Sequence, residues 1–553
     1  MSRGSLLWCL ALGAVLALVT TLPFLFAFER QGADLRFSGS LLAVEDGNSY
    51  VAKMRGGAEG EWLFRSPFTA VPQAGIPAFL FYILLGKLAQ GPGLHVQLVA
   101  LLHAARVLGI FLVVGATYRF ASRFLAEERW RRWATIVSVA GGGLGWLVVA
   151  AGRTDLLGTQ PLELYSPETF GFLATLTFPH LLLARALLLL GLDAYLDAGR
   201  DSRAAARASS WLALLVLTQP LSLGAAGAAV GMHQLLGIAR RVTRREGRPV
   251  EWGHVRPALV ALALPGALAA GYALLLRTDP FVRTWASQNI LLSPHPIHYA
   301  LAYGILMPAA VLAAWRAPAD RSSDRLLLAG WVAVLPLLAY APTVIQRRLP
   351  EGGWVALAIL AALGLSQLGI APSRRWRLGL AVAVVSLISS ALLLAGAFLA
   401  ATSGASPVYR SAGEVAAFEW LDAQSGDQRV VLAAYETGNA LPAWADVRVI
   451  IGHGPESAGL TTRRPRVEAF YRGSGGGVEA AGLLLEFGVD YVFAGPAERA
   501  LGFDENRVPG TFVPVYTQGG YTIYGVGPSP AALQGTQSTL AILSPPAGVG
   551  AGR

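Results

Sequence analysis

Two adjacent carboxylates, Glu45 and Asp46, stand in the segment VEDGNSYVAKMRGG (residues 44–57), a few positions before Tyr50 and Lys53. A carboxylate can accept a proton from an attacking hydroxyl or help to bind a divalent cation, and a lysine can neutralise an anion. The turn-like letters EDGNS also allow a structural interpretation, in which Asp46 caps a short surface helix. The two interpretations are compatible, because a carboxylate at the start of a helix can still face a ligand.

Basic side chains that could bind an anion occupy unusual places. The chain contains only two lysines, Lys53 and Lys87, and both lie between the first two long apolar runs. Arg347 and Arg348 stand together in the short loop PTVIQRRLPEGG. Guanidinium groups bind phosphate oxygens through paired hydrogen bonds, which makes this pair a candidate phosphate site. The open alternatives are snorkelling of the lysines at a membrane surface, and pairing of the arginines with Glu351 or with lipid headgroups.

Polar residues within apolar runs form a secondary group of candidates, because their burial is costly and they usually face a cavity or a partner. They are His103 and Arg106 in LHAARVLG, and His180 and Arg185 in TFPHLLLARALLLL. A hydrogen-bonded structural role for each histidine, and a pairing of Arg185 with Asp193, are the alternatives.

A further source of carboxylates is the segment AGRTDLLGTQPLELYSPETFG (residues 151–171), which contains Asp155, Glu163 and Glu168. One of them, together with Asp46, could bind a divalent cation or orient a hydroxyl. The spacing does not choose between these roles, so the cofactor and any metal stay undetermined.

The elements that must position these residues are membrane helices. The chain of 553 residues is 54% hydrophobic and 14% charged, with a mean hydropathy of +0.50, far more apolar than a soluble domain. Its net charge of +10 comes from short basic clusters between apolar runs, which are typical topology signals and not a nucleic-acid surface. Cys9, the only cysteine, excludes a disulfide framework.

The positive-inside rule predicts eleven spanning helices, with the N-terminus in the cytoplasm and the C-terminus outside. They lie near residues 6–28, 95–118, 133–151, 171–192, 210–218, 221–238, 257–276, 299–315, 326–341, 352–371 and 378–401. The long first outer loop spans 29–94, and its apolar stretch 76–90 is too short to cross, so we predict an interfacial helix there. The letters LTQPLSLGAAG (217–227) predict a polar tip between two half-length helices.

The character of the chain changes after residue 401, so that 1–401 forms a membrane module and 402–527 a small α/β domain. EVAAFEWLDA predicts an amphipathic helix, RVVLAAY, DVRVIIG and DYVFAGP predict strands, and FVPVYTQGGYTIYGV predicts a hairpin. Residues 528–553 are rich in Pro, Gly, Ser and Ala and are expected to be disordered. No P-loop, GxSxG elbow or HExxH motif is present in the sequence.

The order of these segments resembles the GT-C superfamily of membrane glycosyltransferases, which includes protein O-mannosyltransferases and the lipid A aminoarabinose transferases. VEDGNSYVAKMRGG is similar to the acidic element of their first outer loop, and IPAFLFYILLGKLAQ with LHAARVLG to the surface helix and second span that follow it. TLTFPHLLLARALLLL and LTQPLS stand where the superfamily has its fourth span and a short helix pair. Gly75, Ile76 and Pro77 replace the usual Pro-Pro or His-Pro-Pro letters.

This resemblance implies an α-helical polytopic GT-C-like protein that transfers a sugar from a polyprenyl-phosphate donor to an outer glycan, lipid or protein, with inversion. Asp46, with Glu45 as its neighbour, would deprotonate or orient the acceptor hydroxyl. The side chains that would stabilise the phosphate of the leaving group are Arg347, Arg348, Lys53 and Arg106. The extracytoplasmic α/β domain would help to choose the acceptor.

Two other classes remain open for such a chain. A non-catalytic GT-C-like protein, or a transporter, could act in assembly of the bacterial cell envelope and keep the same architecture. In either class the expected location is the plasma membrane, and nucleic acid is not an expected partner.

Overall fold

The computed structural model describes residues 1–199, 201–243, 252–317, 324–424, 429–474, 476–505 and 512–527. These residues form two compact units. Unit 1 comprises Met1–Arg65 and Gln73–Arg410, and unit 2 comprises Ser66–Pro72 and the chain from Ser411 onward. The division between the two units follows residue 410, and Ser66–Pro72 of the first loop belongs to unit 2. The tail 528–553 lies outside the described residues.

Helices dominate unit 1. They are α1 (Arg3–Glu29), α2 (Val44–Ala58), α3 (Leu80–Gly86), α4 (Leu94–Phe124), α5 (Glu128–Ala140), α6 (Trp146–Ala150), α7 (Leu162–Tyr165), α8 (Gly171–Thr177), α9 (Pro179–Asp197), α10 (Ser202–Thr218), α11 (Ser222–Thr243), α12 (Trp252–Thr278), α13 (Pro280–Gln288), α14 (Pro296–Gly304), α15 (Met307–Arg316), α16 (Asp324–Ala339), α17 (Gly353–Ser366) and α18 (Pro372–Ser403). A 3₁₀ turn spans Gln346–Arg348, and β1 (Leu35–Phe37) pairs with β2 (Tyr409–Ser411).

Several of these helices can cross a membrane, which confirms the multi-pass class. In the described part of the chain, six are long and apolar enough to span, and the bent pair α14 and α15 would make a seventh. The six are α1, α4, α9, α11, α12 and α18. The predicted count of eleven is therefore not confirmed.

Glycine and proline interrupt several of the predicted spans. The helix expected at 133–151 ends at Ala140, because the glycines after it run close to other backbone; a Cβ on Gly143 would lie 2.3 Å from the Ala302 carbonyl oxygen. The helix expected at 171–192 breaks at Phe178, next to Pro179. The helix expected at 299–315 bends by 80° between α14 and α15. Apolar composition alone does not reveal such breaks.

The polar tip predicted around Gln219 and Pro220 is observed between α10 and α11. The two helices that meet there contain 17 and 22 residues, so they are longer than the half-length helices expected from the sequence. The interfacial helix expected at 76–90 is shorter than predicted, because α3 covers seven residues only.

One end of unit 1 carries a saturated ion cluster. Arg123 donates from Nε to Asp324 at 2.9 Å and from its terminal nitrogens to Asp193, at 3.2 Å, and Asp197. Arg119 binds the same Asp193 at 2.8 Å. Salt bridges thus connect α4, α9 and α16, which are distant in the sequence.

Helix α17 forms the centre of unit 1. Its residues from Gly353 to Leu365 are all buried, as expected for a helix that is apolar on every side. The fully buried Trp354 donates from Nε1 to the Val137 carbonyl oxygen at 2.8 Å, which ties α17 to α5.

Helix α2, which carries Glu45 and Asp46, is held against α3 by two glycines. A Cβ on Gly57 would lie 2.1 Å from the Ile83 carbonyl oxygen, and a Cβ on Gly86 would lie 1.8 Å from that of Met54. Only a hydrogen at these positions allows the two backbones to meet. This contact fixes the helix on which the candidate acidic residues stand.

Unit 2 is the expected α/β domain. Its strands are β3 (Val430–Leu432), β4 (Arg448–Val449), β5 (Tyr491–Ala494), β6 (Phe512–Gln518) and β7 (Tyr521–Val526), in the order β4-β3-β5-β7-β6. The helices are α19 (Ala412–Gln424), α20 (Tyr435–Trp444), α21 (Leu460–Arg472), α22 (Gly476–Phe487) and α23 (Pro496–Ala500). The three predicted strands are β3, β4 and β5, which are parallel, and β6 with β7 is the predicted hairpin.

The segment Ser66–Pro72 adds to the edge of this sheet. The Val449 N–H donates to the Pro67 carbonyl oxygen at 2.8 Å, and Arg463 Nη1 donates to Thr69 Oγ1 at 3.0 Å. Phe68 is fully buried. The first loop of the chain thus supplies part of the core of unit 2.

We predict that Gly86→Ala lowers the stability of the protein by about 1–3 kcal/mol, because the new methyl group must push α2 and α3 apart. The measurement is the thermal unfolding midpoint of the purified protein in detergent. Gly115→Ala is the matched control, since a Cβ on this helical glycine meets nothing within 4 Å and should be neutral or mildly stabilising. Equal midpoints for both variants would contradict the close α2–α3 contact.

Candidate active site

A cavity of about 810 Å³ opens within unit 1. Its walls come from α2, the segment that leads into α3, the loops around α7 and α8, the tip between α10 and α11, the end of α12 with α13, and residues 343–348. This volume suits a ligand of small-molecule size, and the walls combine apolar surface with a few polar groups, as binding sites do.

Asp46 supplies the carboxylate of the α2 wall. The helix begins at Val44, after Ala43 in a left-handed conformation, so Asp46 occupies the third helical position and does not cap a helix that starts after it. Most of α2 is buried, which also corrects the expectation of a surface helix. Glu45 is exposed and does not line the cavity. The negative charges of both carboxylates still stabilise the helix, because they lie near its N-terminus, where the helix dipole is positive.

Aromatic rings and a histidine adjoin Asp46. Tyr50 stacks on Tyr82 with ring centroids 4.3 Å apart and an interplanar angle of 12°. The Tyr82 hydroxyl lies 2.6 Å from His180 Nδ1, and the Tyr50 and His180 rings are 5.1 Å apart. All three side chains line the cavity.

Arg347 and Arg348 form the basic wall. The Arg347 guanidinium lies over the Tyr165 ring, 4.6 Å from its centroid. Arg348 Nε lies 2.9 Å from Glu168 Oε1, in a pair whose carboxylate is almost completely buried. Glu168, expected as a second acid, is thus the ion-pair partner of Arg348. The sequence had suggested Glu351 as the partner of the arginines. Both arginines reach the cavity.

Glu351 lies behind this wall. It accepts a hydrogen bond from the Ser222 hydroxyl, next to the tip between α10 and α11. Arg185 donates to the carbonyl oxygens of Pro167 at 2.9 Å and Glu168 at 2.7 Å, and does not make the expected pair with Asp193. Burial raises the pKa of Glu351 to about 7, against the opposing charge of Arg185. Three basic groups, Arg185, Arg347 and Arg348, and two buried acidic groups, Glu168 and Glu351, therefore meet at and behind the cavity wall.

Two of the residues expected to bind phosphate lie outside the cavity lining. Arg106 is fully buried among α1, α4 and α8, where it donates to Thr20, Thr21 and the Thr175 carbonyl oxygen at 2.8–3.0 Å. Lys53 is buried one turn after Tyr50, with its ammonium 4.3 Å from the Phe79 ring centroid. These contacts favour a structural role for Arg106 and a supporting role for Lys53.

Two of the three expected second acids also lie elsewhere. Asp155 is half-buried and accepts a hydrogen bond from the Gly158 N–H at 3.2 Å, within its own turn. Glu163 is buried and accepts from the Gly145 N–H at 2.6 Å and the Ser389 hydroxyl at 3.3 Å. Neither carboxylate lines the cavity. Among the described residues, no cluster of three or more His, Cys, Asp or Glu side chains suits a metal ion.

Sequence reasoning missed several residues of the cavity. Tyr82 and Tyr165 orient His180 and Arg347, and Tyr272 and Trp285 belong to an apolar wall from α12 and α13. The only sequence signal near this group was Gln219, whose polar tip interrupts two apolar runs. Aromatic residues in apolar runs carry no comparable signal.

Comparison with solved structures identifies similar folds. The oligosaccharyltransferase of Archaeoglobus fulgidus in its apo form matches with a TM-score of 0.57 and 14% identity, over 88% of this chain and 69% of that chain. The same enzyme, AglB, in complex with an inhibitory peptide and a dolichol-phosphate gives 0.51 and 13% identity, over 89% and 70%. ArnT from Cupriavidus metallidurans bound to undecaprenyl phosphate gives 0.47 and 14%, over 96% and 99%.

No protein-family model matches the chain, and no curated protein matches its sequence. The oligosaccharyltransferase is a GT-C superfamily membrane glycosyltransferase. The GT-C fold that the order of segments implied is therefore confirmed.

We predict that the pH dependence of stability reports on Glu351. Its pKa in the folded protein, about 7, lies above the ordinary value of 4.5, so the folded state binds this proton more tightly than the unfolded state. The resulting stabilisation is complete below pH 4.5 and is lost as the pH rises to about 7, on the order of 3 kcal/mol in total. Glu351→Gln should remove this slope, because an amide keeps the hydrogen bond from Ser222 without titrating.

Unfolding midpoints measured across this pH range for wild type and Glu351→Gln provide the check. The control is Glu29→Gln, a change at an exposed carboxylate at the end of α1, which should keep the wild-type slope. Parallel curves for wild type and Glu351→Gln would contradict the prediction.

Proposed function

We propose that the chain is a membrane glycosyltransferase that moves a sugar from a polyprenyl-phosphate-linked donor to an extracytoplasmic acceptor. The observation that carries the proposal is a cavity in a GT-C fold that is lined by Asp46 on one wall and by Arg347 and Arg348 on another. A proton acceptor and phosphate-binding cations in one cavity are the groups that such a transfer requires.

The donor lipid would lie on the apolar wall of the cavity. Ala269, Ala273 and Leu276 of α12 and Trp285 of α13 contribute to this wall. Most of α12 is exposed, as expected for a helix that contacts lipid. A polyprenyl chain could therefore enter from the bilayer and gain about 25 cal/mol for each Å² of apolar surface that it buries.

The phosphate would bind at the basic wall. Arg347 rests on Tyr165, which orients the guanidinium plane, and Arg348 is held by Glu168. The Arg348 contact with Glu168 runs through Nε, so its terminal nitrogens can still donate to phosphate oxygens. Because these cations are fixed before the reaction, they stabilise the charge that grows on the departing phosphate without reorganisation.

The chemical step would be a single displacement. Asp46 takes the proton of the acceptor. At the same time the acceptor's oxygen or nitrogen attacks the anomeric carbon and forms the new glycosidic bond. The bond between that carbon and the phosphate oxygen breaks, and its electron pair leaves with the polyprenyl phosphate toward Arg347 and Arg348. Attack from the side opposite the leaving group inverts the configuration at the anomeric carbon. Asp46 is favoured over Glu45 as the base because, of the two, Asp46 lines the cavity.

The GT-C neighbour supports the choice of donor. AglB has been solved with a dolichol-phosphate, and its fold overlaps most of this chain. The assay below is to identify the sugar and the class of acceptor, which is a glycan, a lipid or a protein. The proposed location is the plasma membrane with the cavity on the outer side, an orientation that the distribution of basic clusters supports.

We expect Asp46→Asn to reduce sugar transfer by about 10²-fold or more, since an amide cannot accept the proton of the acceptor. The measurement is transfer of labelled sugar from polyprenyl-phosphate donors, in membranes with matched amounts of protein, with and without added divalent cation. Glu45→Gln is the matched control, because it makes the same chemical change one residue away on an exposed side chain. Transfer by this variant should stay near the wild-type rate.

Full transfer by folded Asp46→Asn would remove Asp46 from the base role. Failure of the wild type with every donor tested, despite binding of polyprenyl phosphate, would instead favour the non-catalytic class.

We expect Arg347→Ala to weaken binding of polyprenyl phosphate by about tenfold, since it removes charged hydrogen-bond donors. The check is competition of polyprenyl phosphate against a fluorescent analogue, with the uncharged polyprenol as reference. Tyr165→Phe keeps the aromatic face under the guanidinium and removes only the hydroxyl contact with Arg347, so it should weaken binding less than Tyr165→Leu, which removes both contacts. Equal weakening of polyprenol binding would contradict a specific contact with phosphate.

A further inference from the structure

His180 lies on the cavity wall with one of its ring nitrogens already engaged. Its Nδ1 is 2.6 Å from the Tyr82 hydroxyl. In the described part of the chain, the hydrogen-bonding contacts of that hydroxyl are with His180, through this ring nitrogen and through the backbone of the same residue. The contact therefore decides which ring nitrogen carries the proton.

The hydrogen bond has a defined direction. Burial, together with the nearby Tyr50 and the charge of Asp46, raises the pKa of Tyr82 well above its ordinary value, so the phenol keeps its proton. A buried hydroxyl that does not donate is costly, and His180 Nδ1 is the acceptor within reach. A neutral imidazole carries one N–H, which must then be at Nε2.

The orientation of the ring is fixed by packing. Tyr82 is held by its stack with Tyr50, and the rings of Tyr50 and Phe178 lie 5.1 Å and 6.1 Å from His180. His180 is buried against these rings and still lines the cavity. With Nδ1 bound to Tyr82, Nε2 is the nitrogen left to meet a ligand.

The surroundings favour an anion as that ligand. The charged groups that face His180 are Asp46, Lys53 and Arg348, so cations predominate. An N–H hydrogen bond to an anionic oxygen is stronger than one to a neutral hydroxyl. A phosphate oxygen therefore fits this position better than a sugar hydroxyl.

We propose that Tyr82 is a positioning residue that holds His180 as an Nε2–H donor to a phosphate oxygen of the polyprenyl-phosphate ligand. This inference rests on the proposed function and adds to it. A histidine with its proton at Nε2 cannot accept the proton of the sugar acceptor at that nitrogen. The task of general base is thereby left to Asp46, and His180 acts together with Arg347 and Arg348.

The test uses two amides that differ in where they place an N–H group. His180→Gln puts an amide near the position of Nε2, and His180→Asn puts one near Nδ1. The probe is a polyprenyl phosphate without sugar, bound to the purified full chain in detergent. We expect His180→Gln to bind within about threefold of wild type and His180→Asn to bind about tenfold or more weakly, as expected for loss of a charge-assisted hydrogen bond.

Tyr82→Phe tests the positioning role. Alone, it should weaken binding by a few fold, because the imidazole can then place its proton on Nδ1. In the His180→Gln background it should have no effect, since the amide does not depend on Tyr82 for its proton. A packing role of the Tyr82 hydroxyl would instead give the same loss in both backgrounds.

The outcomes separate the two proposals. Equal binding by His180→Gln and His180→Asn, whether weakened or not, would show that the donor role of His180 is wrong while the proposed function stands. The same loss on Tyr82→Phe in wild type and in the His180→Gln background would show that Tyr82 does not act through His180. If wild type binds polyprenyl phosphate no better than polyprenol, both proposals are overturned.

Discussion

The guanidinium of Arg185 is the contact on which the cavity depends. It stands on α9 and donates to two successive backbone carbonyls, those of Pro167 and Glu168. This fixes the loop whose side chain, Glu168, binds Arg348, while the Glu168 carbonyl oxygen also accepts from the Gly352 N–H at 3.3 Å. A buried guanidinium cannot be left without acceptors, so the loop must adopt the conformation that serves it.

The same requirement links the cavity wall to the tip between α10 and α11. Glu351 follows the basic wall in the chain and accepts from Ser222, the first residue of α11. The cluster therefore joins α9, the loop before α8, the loop before α17 and α11, which are distant in the sequence. Replacement of one member leaves its partners buried without compensation, and such losses are among the most costly in proteins.

The arginine of the ion cluster and the arginines of the cavity differ in how many of their N–H donors already have a partner. Arg123 uses three of its nitrogens on three aspartates, so little of its hydrogen-bonding capacity remains. Arg347 rests on the face of Tyr165, and Arg348 binds one carboxylate through Nε. A guanidinium carries five N–H donors, so the cavity arginines keep donors for a ligand. This difference separates a structural cluster from a binding site more clearly than charge alone.

Sequence by itself determined the class of the protein, because hydropathy and basic clusters record contact with lipid residue by residue. It also determined α19, the three parallel strands and the hairpin of the α/β domain, where Gly519 and Gly520 in the turn both adopt positive φ. The helices α20 to α23 were not predicted. Asp46, Arg347 and Arg348 were identified as candidates because charge at a membrane surface is conspicuous. Each of these signals is local.

Only the tertiary structure decided which candidates meet. Arg106 and Glu163 look as suitable as Arg348 and Glu168 in the sequence, yet the first two bind other helices and the second two line the cavity. Tyr82 becomes relevant only through His180, nearly a hundred residues later. The insertion of Ser66–Pro72 into the sheet of unit 2 is equally hidden. Such partners are chosen by packing between distant segments, and spacing along the chain does not encode that choice.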